Sequence, residues 1–137
     1  MDISNLNADL IDLVEKKNEL KALSYDDSRY DSLEEELHDL EDKFVQQYGT
    51  YLEEVFSLVH DEYCPDDDVL LPTAYLADHY KVSGENGSRS FEVGPKAGVP
   101  VDADDFPAPT HLVMVPGPLR IILQTGKSNE VVWSPLN

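Results

Sequence analysis

Two spacing rules divide this chain. Over residues 3–23, Ile3, Leu6, Leu10, Leu13, Leu20 and Leu23 recur at steps of three, four or seven, with Val14 beside them. That is the period of a helix with one apolar face. Ser4 or Asn5 is placed to cap its start, and Asp9 and Asp12 lie near the positive end of its dipole. Lys16, Lys17 and Lys21 come late, near the negative end. Ile11 falls off the stripe and is expected to be partly exposed.

The stretch Ser24–Asp31 has no apolar period and is dense in turn formers, so it reads as a helix–helix connection. Ser32 followed by Glu35 then has the spacing of a capping box. Leu33, Leu37, Leu40, Phe44, Tyr48, Tyr51, Val55 and Leu58 step by three or four as far as Glu62 and predict a long second helix. Gly49 interrupts it at about 1 kcal/mol relative to alanine. Cys64-Pro65 ends it, because a residue before proline is driven out of the helical region. A span of about 45 Å follows from the helical rise, and a shorter first helix leaves part of the stripe overhanging. An antiparallel hairpin completed by a second copy of the chain is the simplest cover.

After Pro65-Asp66-Asp67-Asp68 the period becomes two. Thr73–Val82 predicts a strand, with Leu76, Tyr80 and Val82 on one face and Tyr75, Ala77, His79 and Lys81 on the other. Gly84-Glu85-Asn86-Gly87 predicts a hairpin turn returning through Ser90–Val93. Ala97–Val101 is a short strand, residues 102–109 a loop, and His111–Val115 and Leu119–Gln124 the two most apolar strands, joined by Pro116-Gly117-Pro118. Their nearly continuous hydrophobicity predicts central positions covered on both faces. Thr125–Asn129 is a turn and Glu130–Trp133 the last strand. The fold class is therefore α+β: an N-terminal antiparallel helical hairpin over 1–65, packed on a C-terminal antiparallel β-meander or small open barrel over 66–137. With no low-complexity linker between them, the two parts are expected to form one cooperative unit.

Charge sharpens this division. The 137 residues carry a net charge of −18 at 41% hydrophobic content, which argues for a folded chain. Residues 1–68 hold 21 of the 28 acids and 5 of the 10 bases. The field is spread along helix faces rather than gathered in a tail. It disfavours nucleic acid, whose phosphates demand Lys and Arg, and an anionic membrane surface equally. A basic protein partner is favoured. One cysteine, Cys64, allows no intrachain disulfide, which suits a cytoplasmic location. Acids in Met1–Leu10 where a secretory leader carries bases, and no long apolar run, point the same way.

Candidate chemistry gathers at the junction. His60, Asp61, Glu62, Cys64, Asp66, Asp67 and Asp68 fall within nine residues, and His79 lies within reach of a returning chain. His60 and Cys64 at i, i+4 would share one helix face and a zinc ion. A structural site ordinarily has a second ligand pair, which is lacking, and the aspartates lack the alternation of a calcium loop. A helix end with a buried thiol is the plainer account. Cys64 among acids is no activated nucleophile, since neighbouring negative charge raises a thiol pKa. Asp102, Asp104 and Asp105, beside Phe106 and His111, offer general acid or base groups in what otherwise reads as a proline-rich loop. No motif calls for a cofactor. The principal reading is a non-enzymatic acidic interaction module, whether adaptor, inhibitor or chaperone-like. Tyr25 and Tyr30 in the connection, with Glu34, Glu35, Asp39 and Asp42 on the long helix, are its contact candidates. Two alternatives stand beside it. One is a small metal-binding protein or metal-dependent enzyme using His60, Cys64, Asp66 and His79; the other is a structural homodimer, joined through the hairpin, whose acidity serves solubility.

Overall fold

The carboxylate of Asp2 accepts the backbone N–H of Asn5 at 3.1 Å and starts helix α1, Ile3–Ala22. The cap is thus Asp2 rather than Ser4 or Asn5, both of which lie inside the helix. The computed structural model describes residues 1–84, 89–103, 106, 109–126 and 128–135. Leu6, Leu10, Leu13 and Val14 are buried, and Ile11 is half-buried, as its place off the stripe predicts.

Helix α2 runs from Tyr30 to Tyr63. It begins before the predicted capping box, so Ser32 is a helical residue with no capping role. The start is set instead by Asp27, whose Oδ1 accepts the N–H of Arg29 at 2.9 Å and whose carbonyl accepts that of Tyr30 at 3.0 Å. This local turn satisfies donors that a cap would otherwise serve. Cys64, at φ −148°, ends the helix in front of Pro65 as expected. The two helices run antiparallel: Lys16 pairs with Glu36, while Asp9, earlier in α1, meets Tyr48, later in α2.

At 34 residues α2 is about 51 Å long against about 30 Å for α1. Its overhang is covered from within the same chain. Past Tyr51 the buried face becomes Leu52, Val55, Phe56, Val59 and His60. The Phe56 ring stacks on Tyr75 at 3.8 Å between centroids and 14° between planes, and Tyr51 meets Trp133 edge-on at 6.5 Å. Of the apolar residues in the predicted stripe only Leu58 is exposed, at 67%. The packing demand that called for a second copy is met internally.

The predicted strand Thr73–Val82 is replaced by a 3-10 turn, Pro72–Tyr75, followed by irregular chain and a short β1, Lys81–Ser83. Alternation fails because Tyr75, Leu76, Ala77 and Tyr80 are all buried. Pro72 pre-sets the turn's first φ. The Tyr80 hydroxyl accepts the N–H of Ala77 at 2.9 Å and donates to the Met114 carbonyl at 2.8 Å. Backbone groups here are thus served by a side chain rather than by a ladder.

β1 pairs antiparallel with β2, Ser90–Glu92, so the flanks of the predicted hairpin meet; its turn at 85–87 lies outside the described residues. The second sheet is a four-stranded antiparallel meander, β3 (Val99–Val101), β4 (Thr110–Val115), β5 (Arg120–Gln124) and β6 (Asn129–Trp133), in that order. β4 and β5 are central, and Leu112–Val115 and Ile121–Leu123 are buried throughout, as their hydrophobicity predicts. One apolar cluster contains residues of both helices and both sheets. Polar clamps tie α1 to the sheets: Asn18 exchanges two hydrogen bonds of 2.9 Å with the backbone of Tyr80, the Asn7 carboxamide accepts the N–H of Gly117 at 3.0 Å, and Glu15 pairs with Arg89 at 2.7 Å.

Candidate functional site

Packing fixes the rotation of α2, and its rotation decides what faces outward. Glu35, Asp39, Asp42, Gln46, Thr50, Glu53, Ser57 and Asp61 follow one another at steps of three or four, and every one is exposed. They form a stripe about 39 Å long with five carboxylates and no base. The whole of α2 holds eleven acids against Lys43 alone among Lys and Arg, whereas α1 holds four acids and three lysines. The acidity of the first half is therefore concentrated on the long helix.

Little of it is neutralised. Among the described residues the ion pairs are Lys16–Glu36, Arg29–Asp27 and Arg89–Glu15, and Glu36 is the only acid of α2 among them. Lys16–Glu36 is a surface pair at 3.1 Å, worth no more than about 1 kcal/mol. Glu35, Asp39 and Asp42 lie on the stripe, while Glu34 is half-buried at its margin.

Tyr25 and Tyr30 meet at the tip of the hairpin, ring centroids 4.9 Å apart and tilted by 31°. Tyr25 is 83% exposed. Between them in sequence, the Arg29 guanidinium donates two hydrogen bonds of 3.1 Å to the Asp27 carboxylate. Those bonds lower the Asp27 pKa and raise that of Arg29. The tip thus carries an aromatic pair beside an internally compensated charge, and the acids of α2 begin with the exposed Asp31 in its first turn.

The junction residues take separate structural roles. His60 is buried, with Nδ1 3.0 Å from the Asp67 carbonyl and Nε2 2.8 Å from the Tyr75 hydroxyl. A carbonyl only accepts, so Nδ1 carries the hydrogen of that bond and Nε2 is left to accept from the Tyr75 hydroxyl. The same hydroxyl accepts the N–H of Leu70 at 3.0 Å, and burial pushes its pKa upward. Asp67 in turn uses Oδ2 to accept the N–H of Asp102 at 2.7 Å. This chain pins the end of α2 to the 64–75 segment and leaves no lone pair on the His60 ring. Cys64 is buried, whereas Asp66 and His79 are exposed. No group of three or more His, Cys, Asp or Glu among the described residues is arranged to hold a metal ion. Of the predicted acid–base loop, Asp104 and Asp105 lie outside the described residues. Asp102 is exposed, and Phe106 packs on Tyr63 at 6.2 Å.

The chain matches no protein-family model, no curated protein and no solved structure. What its surface can do follows from its own side chains. A one-signed stripe on a rigid helix attracts cations and basic surfaces over about a Debye length. No helix among the described residues is long and apolar enough to cross a membrane. The Tyr75–His60–Asp67 chain was invisible in the sequence. The i, i+4 spacing drew attention to Cys64, while the true partners of His60 lie seven and fifteen residues away.

Proposed function

We propose that the protein is a non-enzymatic interaction module whose α2 stripe binds a basic protein surface, with Tyr25 and Tyr30 as the aromatic contact at one end. The observation that carries this reading is the run of outward positions from Glu35 to Asp61, all exposed, acidic at five places and basic at none. Solubility alone asks for interspersed charges of both signs; a stripe of one sign on one helix repels copies of itself and complements a basic partner. Such complementarity raises the association rate and fixes orientation more than it adds affinity.

The test begins with capture from native lysate at low ionic strength, followed by identification of the partner and measurement of its association rate against salt. The reading expects a basic protein whose association slows steeply as the Debye length shrinks to about 3 Å near 1 M salt. It also expects capture to fail for Glu35→Lys/Asp39→Lys/Asp42→Lys, with the unfolding midpoint unchanged because all three sites are exposed. Salt-insensitive capture, or full capture by the triple variant, overturns it.

A further inference from the structure

In a chain with 28 acids, a cleft of about 580 Å³ has no Asp or Glu among the described residues that line it. It lies between the loop after β2, the start of β4 and the β5–β6 turn. Among the described residues its ionisable lining is Lys96 and His111; Thr125, Ser128 and Asn129 add hydroxyl and amide groups. The volume falls in the range of small-molecule sites, about 300–1,000 Å³.

The walls are held in place by the fold. Gln124 is 4% exposed and faces His111 in the β4–β5 register. Its Oε1 accepts the N–H of Ala97 at 2.8 Å and its Nε2 donates to the Gly94 carbonyl at 2.8 Å, fixing both ends of the loop that carries Lys96. Across the cleft, the Ser128 carbonyl accepts the N–H of Thr125 at 2.9 Å, and the two hydroxyls lie 2.7 Å apart. Lys96 itself has φ 58°, the left-handed region that glycine occupies readily and a lysine does not. Pro95 and Lys96 form the turn of this loop, whose third position takes a positive φ, so the turn sets Lys96 on the rim of the cleft while the buried Gln124 holds the residues on either side of the pair.

We propose that this cleft binds a small molecule bearing an anionic oxygen group, carboxylate or phosphate, with Lys96 as its charge partner and His111, Thr125, Ser128 and Asn129 as hydrogen-bonding groups. The proposal is independent of the acidic stripe. Local placement matters here more than the overall field, because residues 69–137 hold seven acids and five bases and are nearly balanced.

The test is an amide NMR titration of the full chain with inorganic phosphate and, separately, with succinate, each against sodium chloride at matched ionic strength. Saturable shifts at Gly94, Ala97 and Gly126 are expected with at least one of the two anions, and the one that saturates identifies the group. Lys96→Gly separates binding from folding: it relieves the left-handed strain, so its unfolding midpoint should equal or exceed that of the parent. Its affinity for the anion should fall about tenfold, the worth of one charge-assisted hydrogen bond. Shifts that never saturate, that chloride reproduces, or that survive unchanged in Lys96→Gly overturn the proposal.

Discussion

Removing one oxygen atom from Tyr80 tests how the irregular segment before β1 is held to the central sheet. Tyr80 is 1% exposed, and its hydroxyl accepts the N–H of Ala77 while donating to the carbonyl of Met114. The β3–β4 register reaches only to Val99↔Leu112, so the Met114 carbonyl lies beyond the end of β3, and the hydroxyl serves it there. Tyr80→Phe keeps the ring and creates almost no cavity, but leaves a buried donor and a buried acceptor unpaired. Each orphaned group costs about 1–3 kcal/mol, which places the loss at about 2–6 kcal/mol, a large part of the stability of a domain this size. Urea unfolding followed by far-UV circular dichroism and by Trp133 fluorescence measures it, with an unchanged m-value as the sign that only stability has moved. Tyr25→Phe, at an 83% exposed position, serves as the control and should lie within about 0.5 kcal/mol of the parent. A loss for Tyr80→Phe no larger than that of the control would refute the argument that these two backbone groups depend on the hydroxyl.

Three further outcomes follow from the same geometry. His60→Phe removes both the donor to Asp67 and the acceptor for Tyr75, and should destabilise by about 2–4 kcal/mol; treatment of the parent with a chelator should leave its melting temperature unchanged, and a drop would restore the metal reading. Gly117→Ala should cost about 1–3 kcal/mol in a thermal melt, because φ is +65° and the new methyl would lie 2.8 Å from the Phe91 ring and 3.0 Å from the Arg89 carbonyl. Stability should hold up to about pH 10 and then fall between about 10 and 12. Burial and the hydrogen bond to the Asp9 carboxylate push the Tyr48 pKa up to about 12, whereas an unfolded tyrosine ionises near about 10; over that interval the folded state holds a proton that the unfolded state has lost, so rising pH favours unfolding. Tyr63, Tyr75 and Tyr80 are raised by burial and act in the same direction. A pH titration of the unfolding free energy checks the sign, and Tyr48→Phe should make the alkaline fall shallower.

Local period carried far in this chain. Leu6, Leu10 and Leu13, then Leu37, Phe44 and Tyr48, are spaced for one helix face each, and those faces are buried. The continuous apolarity of Leu112–Val115 and Ile121–Leu123 marked the strands that lie in the middle of the sheet. The reading failed where a side chain took over work that backbone usually does. Asp27 starts α2 at Tyr30, two residues ahead of Ser32 with its capping-box spacing, and the buried tyrosines Tyr75 and Tyr80 turn an apparent alternation into an irregular packed segment. The same limit governed the sites. The acidic residues of α2 are plain in the sequence, but that Glu35 through Asp61 make one unbroken outward stripe depends on how α2 is rotated by its neighbours.

Sequence by itself determined the two helices, the central strands and the sign of the surface, because periodicity and charge are properties of near neighbours along the chain. Tertiary structure decided what covers the end of α2, where the hydrogen bonds of His60 go, and that a loop, a strand and a turn line one cleft. Each of those depends on groups far apart in sequence whose meeting is settled by the packing of the whole core, and no local pattern encodes that.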